Sequence, residues 1–107
     1  MMYSANYYGG QYYAVGYATS GSPLGPFVKS PDNPVLEKNT DRGGDVTGTG
    51  HNMVLTLGNG DRYCVYHGRT SATGDRRVVF IDPMEITPEG KLVVHGPSTD
   101  ARPKPAL

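Results

Sequence analysis

The sequence predicts an all-β fold made of antiparallel meanders of short strands. The 107 residues include 15 glycines, 9 prolines, 8 tyrosines and no tryptophan, a composition typical of short strands joined by tight turns. Gly-Gly and Asn-Gly pairs stand between runs of apolar and aromatic residues, which is the short-range signal of a β-hairpin. Few segments could form a helix, so β-structure is expected throughout.

The first half predicts one incomplete blade-like sheet. Residues 3–8 and 11–19 are expected to pair as a hairpin in which Gly9-Gly10 supplies the positive φ angles of a two-residue turn. Prolines in residues 20–26 end this pairing, and Phe27-Val28 adds a short edge strand. Residues 29–50 are expected to be largely irregular. A connection of that length in a small domain is often functional, so it is predicted to lie across a site or to await a partner.

The second half predicts a complete four-stranded meander. Its expected strands are 52–57, 62–69, 76–86 and 91–96, joined by turns at 58–61, 70–75 and 88–90. A four-stranded antiparallel meander is one blade of a β-propeller. Asp82-Pro83 is predicted to mark a bend or bulge in an edge strand, because proline cannot donate to a ladder. The predicted organisation is an incomplete blade (1–36), a loop (37–50), a last blade (51–99) and a tail (100–107).

Charge and cysteine content exclude several classes of partner. Ten basic and ten acidic side chains cancel, so neither nucleic acid nor an anionic membrane surface is an expected partner. No stretch approaches the roughly 20 apolar residues of a membrane span, and the first residues lack the pattern of a secretion signal. The destination of the protein in the cell stays open. Cys64 is the only cysteine, which excludes an internal disulfide and a cysteine-based zinc cluster.

Four segments together resemble a known enzyme family. They are YSANYYGGQYYAVGYATSGSPLGPFVK at 3–29, GTGHN at 48–52, YHGR at 66–69 and RRVVFIDPMEITPEGKLVVHGP at 76–97. In this order they resemble the C-terminal part of glycoside hydrolase family 43, over nearly the whole chain. The resemblance implies the last two blades of a five-bladed propeller. It also implies arabinan, arabinoxylan or xylan saccharides as partners, together with the missing blades or further copies of the chain.

The catalytic carboxylates of such an enzyme are not expected in this chain. Glycoside hydrolysis normally needs two carboxyl groups that flank the scissile bond. The resemblance places the base, a pKa-tuning carboxylate and the general acid in earlier blades, the acid in a Glu-Gly-Pro box. That box is absent, and Glu37, Glu85 and Glu89 fall in a loop, a late strand and a turn. We therefore predict no catalytic residue here and no hydrolysis by the chain alone.

His51 is the main candidate for a pocket residue. By resemblance it matches the histidine that projects into the propeller channel and helps to hold a metal ion, usually taken to be calcium. Calcium prefers six to eight oxygen ligands, so one imidazole would be a supporting ligand. From the residues alone, the preferred interpretation of His51 is a strand-entry histidine bonded to a nearby carbonyl, and the motif match reverses this preference for an intact propeller. Asn52 is expected to cap the channel strand or to orient His51.

The remaining polar candidates each have two interpretations. Arg69, Arg76 and Arg77 could reach sugar hydroxyls, or could be solvated or paired across strands. His67 is expected to pack and to make one hydrogen bond. Asp45 could supply a channel oxygen, although a turn-forming aspartate is the default interpretation.

The tyrosines of the first half are expected to form a partly exposed aromatic band. Alternation along two strands divides them between the two faces of the hairpin; they are Tyr7, Tyr8, Tyr12, Tyr13 and Tyr17. Such a band could dock a saccharide, a neighbouring blade or another copy of the chain, and the last two are favoured. Three functions follow: a portion of a hydrolase, a non-catalytic saccharide-binding module, or a self-associating β-module.

Overall fold

The computed structural model describes residues 1–104 and consists of two antiparallel sheets. The first has the order β1-β2-β3, with β1 at Met2–Ala5, β2 at Ala14–Thr19 and β3 at Val28–Lys29. The second has the order β4-β5-β6-β7, with β4 at Thr47–Thr56, β5 at Arg62–Arg69, β6 at Val78–Ile86 and β7 at Leu92–Val94. The predicted all-β class and four-stranded meander are confirmed.

Helical structure is limited to one short turn in the described part of the chain. A 3₁₀ helix at Thr40–Arg42 is the single helix there. No helix in residues 1–104 is therefore long and apolar enough to cross a membrane.

The second sheet has a buried core face and a more exposed outer face. On β5, Cys64 and Tyr66 are buried, whereas the alternating residues Val65 and His67 are half-buried on the other side. The register of β5 with β6 continues this division, since Tyr66 lies opposite Phe80 and Val65 opposite Ile81. We call the side of Cys64 and Tyr66 the core face and the side of Val65 and Ile81 the outer face.

The core face packs against the first sheet and the segment that joins the two sheets. The core cluster contains Val15, Leu36, Val46, Cys64, Tyr66, Phe80, Met84 and Val94. The Tyr66 and Phe80 rings stack with centroids 5.4 Å apart. Leu36 is held at β2 because its carbonyl accepts a hydrogen bond of 2.9 Å from the Val15 N–H. Segment 30–46 is therefore anchored to the core by Leu36 and Val46, although most of its other residues are exposed.

The predicted two-residue turn at Gly9-Gly10 is wrong. Strand β1 ends at Ala5 and β2 begins at Ala14, so residues 6–13 form a long loop, here called the tyrosine loop. Asn6 ends the strand with a φ of 70°, whereas neither glycine has a positive φ. A Cβ on Gly9 would lie 2.7 Å from Cε2 of Tyr7. Gly9 therefore lies against the exposed ring of Tyr7 and does not supply a positive φ to a turn.

The boundary predicted between loop 37–50 and the last blade also differs from the structure. Strand β4 begins at Thr47, within the predicted loop, and Thr47 and Gly50 pair with Arg69 and His67 of β5. The register of this pairing shifts twice between Thr47 and Met53, where Gly48 and His51 have positive φ values of 64° and 52°. The local strand signal is weak because this end of the strand is bulged.

The prediction of an edge-strand bend at Asp82-Pro83 is wrong. Strand β6 lies between β5 and β7, and Pro83 stands opposite Tyr63 in an unbroken register. The Pro83 carbonyl accepts a hydrogen bond of 2.8 Å from the His95 N–H, so β6 stays bonded to the segment that follows β7. Residues 105–107 of the predicted tail lie outside the described residues.

Candidate functional site

Three aromatic rings form a row where β4 begins and β5 ends. The rings of Tyr13 and His67 stack with centroids 5.9 Å apart and an interplanar angle of 26°. The ring of His51 meets that of His67 edge-on, at 6.0 Å and 61°. The structure therefore brings together two histidines from neighbouring strands and a tyrosine from the tyrosine loop.

The glycines before His51 make room for this arrangement. A Cβ on Gly50 would overlap Cε2 of Tyr13 and lie 2.7 Å from its Cζ. A Cβ on Gly48 would lie 2.6 Å from Nη2 of Arg69. The tyrosine ring and the guanidinium thus rest directly on the backbone of the Gly-Thr-Gly run, which explains its composition.

His51 is exposed and has a left-handed backbone conformation, with a φ of 52°. Such a conformation costs a residue other than glycine on the order of 1 kcal/mol, and it persists when surrounding contacts impose it. One such contact is the hydrogen bond of 2.9 Å that the His51 N–H donates to Ser4 Oγ. The bond joins β4 to β1 and leaves the imidazole exposed.

His67 combines packing with an unsatisfied nitrogen. Its Nδ1 is buried and has no hydrogen-bond partner within residues 1–104. Burial lowers the pKa of His67, and the nearby charges of Arg77, His51 and Arg69 lower it further. A neutral ring with a free nitrogen therefore stands between Tyr13 and His51.

Arg69 holds the tyrosine loop against this site. Its Nη1 donates to the Gly9 carbonyl at 3.1 Å and its Nη2 to the Gly10 carbonyl at 2.8 Å. Arginine has five N–H donors, so several remain for another acceptor. Arg77 lies over the ring of Tyr8, with its Cζ 5.4 Å from the centroid. Arg76 is exposed.

Asn52 and Asp45 have partners other than His51. The Asn52 amide donates to Met2 Sδ at 3.3 Å and lies beside the Cys64 thiol, whose pKa burial raises to about 11. Asp45 accepts hydrogen bonds from the backbone N–H and the hydroxyl of Ser71, at 3.2 and 2.7 Å. The bond from the Ser71 hydroxyl is the main cause of the lowered pKa of Asp45.

Sequence comparison identifies the family of this chain. The family described as "Glycosyl hydrolases family 43" matches residues 1–92. The chain belongs to glycoside hydrolase family 43. It is 38% identical over 94 residues to the β-D-galactofuranosidase xynD of Aspergillus niger, a match that covers 86% of this chain and 26% of that protein.

Two solved structures extend the comparison of this family 43 chain. A thermostable family-43 glycoside hydrolase has a TM-score of 0.86 and 39% identity, over 99% of this chain and 34% of that one. An endo-1,4-β-xylanase from Bacteroides thetaiotaomicron has a TM-score of 0.77 and 34% identity, over 90% of this chain and 33% of that one. The chain thus spans between a quarter and a third of these relatives, and its sheets correspond to about two propeller blades.

The residues of this family 43 chain do not by themselves fit a calcium ion. No group of three or more histidine, cysteine, aspartate or glutamate side chains in residues 1–104 could hold a metal ion. His51 and His67 offer nitrogen, whereas calcium takes six to eight oxygen ligands. A metal role for His51 stays a prediction, and it requires ligands from outside this chain.

Two features of the family 43 chain were missed by the sequence analysis. The sequence predicts Tyr13 as part of an aromatic band, yet its ring stacks on His67; the glycine at position 50 is the sequence signal for this contact. Asp82 is completely buried and accepts hydrogen bonds from the Tyr66 hydroxyl, at 2.5 Å, and from Ser98. Its alternation with Phe80 on β6 could have placed it on the core face.

Proposed function

We propose that this family 43 chain forms one wall of the saccharide pocket of a glycoside hydrolase that acts on arabinose- or xylose-containing polysaccharides. The observation that supports the proposal is the convergence of His51, His67, Tyr13 and Arg69 at one end of β4 and β5. Aromatic faces and arginine donors suit a ring that carries hydroxyl groups. One relative is named a galactofuranosidase and another an endo-1,4-β-xylanase, which is consistent with a glycan substrate.

In this proposal Arg69 and His51 bind and orient the sugar, and Asn52 supports the strand that carries His51. Arg69 is held in place by the Gly9 and Gly10 carbonyls, so its position does not depend on the substrate. The His67 ring supports one side of the exposed His51 ring through their edge-on contact. Such preorganisation reduces the ordering that binding would otherwise require.

The acid and base that cleave the bond are proposed to come from outside this chain. Glu37, Glu85 and Glu89 are all exposed, and the Glu85 carboxylate lies 3.4 Å from His95. Asp82 is engaged by Tyr66 and Ser98 on the core face, away from the histidine row. Without two carboxyl groups placed on either side of a glycosidic bond, hydrolysis by the usual mechanism does not proceed.

The purified chain is therefore expected to be inactive on its own. Release of 4-nitrophenol from the aryl α-L-arabinofuranoside, β-D-xylopyranoside and β-D-galactofuranoside should equal the rate without protein. Matched variants Glu37→Gln, Glu85→Gln and Glu89→Gln should leave that rate unchanged. The chain would carry its own catalytic carboxylate if it released 4-nitrophenol faster than the blank and if one of these variants, or Asp45→Asn, abolished that release.

A second candidate function, self-association, is favoured by the exposed outer face of the second sheet. Met53 and Ile81 both lie opposite Val65, and 56% and 44% of their surfaces are exposed. Val79, on the same face, is 77% exposed. A contiguous exposed apolar face promotes association. We propose that a second copy of the chain covers this face when no further blades are present.

The double variant Met53→Lys/Ile81→Lys is expected to convert a dimer or larger assembly into a monomer, because each lysine places a charge in the apolar contact. Light scattering coupled to size exclusion measures the mass directly. Ile86→Lys is the matched control, since Ile86 is also on β6 and 53% exposed but alternates onto the opposite face. A wild-type chain that is monomeric at millimolar concentration, or a control variant that dissociates equally, contradicts this candidate.

A further inference from the structure

The tyrosine loop contains a cleft that the proposed pocket does not use. Asn6, Tyr7, Gly10 and Tyr12 line a hollow of about 530 Å³. Its two tyrosines are 69% and 62% exposed, although aromatic side chains of this size are usually buried to a greater extent. A volume in this range is typical of small-ligand sites.

The cleft is fixed relative to the histidine row. Besides the two bonds from Arg69, the loop is held by the Gly48 N–H, which donates to the Gln11 carbonyl at 3.2 Å. The buried hydroxyl of Thr49 donates to the Tyr13 carbonyl at 3.3 Å. Within the loop, the Asn6 amide donates to the Tyr12 carbonyl at 2.9 Å. The two tyrosines are therefore presented by an ordered loop attached to the start of β4.

The lining of the cleft favours a neutral ligand with both apolar and hydroxylated surfaces. Its side chains are an amide and two phenols, and no charged residue lines it. Tyr12 also borders a second hollow, and Lys38 and Glu37 line only that one. The Lys38 ammonium lies 5.2 Å from the Tyr12 ring centroid, and Arg69 and Arg77 reach the neighbouring residues Gly10 and Tyr8, so charged groups flank the cleft without lining it. Aromatic faces pack on the C–H surfaces of a sugar while phenol and amide groups bond its hydroxyls.

The location of the cleft argues against the packing of a neighbouring blade there. Blades pack through the faces of their strands, and the exposed apolar strand face of this chain is the outer face around Met53 and Ile81. Tyr7 and Tyr12 are outside any strand and at the end of the molecule where His51 is exposed. For these two residues we therefore favour a saccharide over the blade or copy that the sequence predicts as the partner of the aromatic band.

We propose that the Tyr7–Tyr12 cleft is an additional saccharide subsite, which takes one sugar ring of a neutral glycan chain next to the pocket of His51 and Arg69. This proposal rests on the proposed function for one point, which is the choice of a saccharide as the class of ligand. The two tyrosine rings pack against the sugar, and the Asn6 amide and the Gly10 backbone limit how deeply it enters.

The test is a titration of the purified full chain with xylohexaose and, separately, with α-1,5-arabinohexaose, followed by ¹H–¹⁵N NMR. Shift changes are expected at Asn6, Tyr7, Gly10 and Tyr12 with at least one of the two probes. Tyr7→Ala and Tyr12→Ala should each weaken binding by about tenfold, the loss expected for one aromatic contact. Tyr7→Phe should stay within about threefold of wild type, because the stacking face is kept.

Phe27→Ala is the control, because Phe27 is an aromatic residue that is 40% exposed but does not line the cleft. It should bind like wild type, and circular dichroism and thermal melting should show that all variants are folded. The proposal is overturned if wild type binds neither probe, if Tyr7→Ala and Tyr12→Ala bind like wild type, or if Phe27→Ala loses as much affinity. Hydrolysis by the chain would reject the missing-carboxylate proposal without changing this binding result.

Discussion

Replacing Asp82 with alanine is expected to lower the free energy of unfolding by about 3 kcal/mol, the cost of breaking a buried network of hydrogen bonds to a carboxyl group. Asp82 is completely buried. It accepts hydrogen bonds from the Tyr66 hydroxyl at 2.5 Å, from the Ser98 N–H at 3.2 Å and from the Ser98 hydroxyl. Truncation leaves the Tyr66 hydroxyl buried without its acceptor. For a chain of this size the melting temperature should fall by about 10 to 20 °C.

The control for this variant is Asp100→Ala. Asp100 is exposed and its carboxylate lies 3.5 Å from Arg102, so its removal should cost less than about 0.5 kcal/mol. Tyr66→Phe combined with Asp82→Ala should cost less than the sum of the two single changes, because the double variant leaves no unpaired hydroxyl. Equal melting temperatures for Asp82→Ala and Asp100→Ala would contradict this account.

The same cluster explains how the C-terminal segment is attached. Ser98 follows β7, and its two bonds to Asp82 tie that segment to the middle of the second sheet. A Cβ on Gly96 would overlap Oδ2 of Asp82, so glycine allows the chain to pass beside the carboxyl group. Burial and the hydrogen bond to Asp82 raise the pKa of Tyr66, which keeps its hydroxyl protonated as a donor. The loss of Asp82 should therefore also loosen residues 96–100.

The second sheet could be predicted from sequence because its signals are local. Apolar alternation along 62–69 matches β5 at Arg62–Arg69, and the Asn59-Gly60 pair forms the turn that precedes it. Gly60 has a φ of 92°, the conformation for which glycine is preferred. The turn at Gly90, with a φ of 85°, follows the same rule.

Elements that depend on distant residues could not be predicted from a local pattern. Gly9-Gly10 reads as a hairpin turn, yet its carbonyls serve Arg69, which is 59 and 60 positions away in the sequence. Asp82-Pro83 reads as an edge bend because proline lacks an N–H. The partners that make this position internal and buried, Tyr66 and Ser98, are each 16 residues away.

The candidate site could be predicted only in part, because some of its contacts join residues that are distant in the sequence. The family motif drew attention to His51 and Arg69, and the structure places both at one end of the second sheet. The stacking of Tyr13 on His67 joins the tyrosine loop to the second sheet, so neither alternation nor spacing along one strand shows it. The sequence signal for these contacts is the pair of glycines before His51, since Gly48 lies against Arg69 and Gly50 lies against Tyr13.

Gly50→Ala is expected to destabilise the protein by about 2 kcal/mol, the usual cost of overpacking, and to displace the Tyr13 ring from His67. The added Cβ would overlap Cε2 of Tyr13 and lie 2.5 Å from its Cδ2. Gly50 lacks a positive φ, so alanine is compatible with its backbone and the collision with the ring is the sole source of the cost. Thermal melting measures the first effect, and the NMR shifts of the His67 ring protons, which Tyr13 perturbs, report the second.

The double variant Gly50→Ala/Tyr13→Ala separates a collision from a loss of backbone freedom. If the ring is what the methyl group meets, alanine at position 50 should cost much less in a Tyr13→Ala background than in wild type. Gly58→Ala is the matched control, because no atom lies within 4 Å of its added Cβ, and it should change stability by less than about 0.5 kcal/mol. Equal costs for Gly50→Ala in both backgrounds would show that Tyr13 does not rest on Gly50. The contact of Tyr13 with the histidine row, on which the proposed pocket depends, would then be wrong.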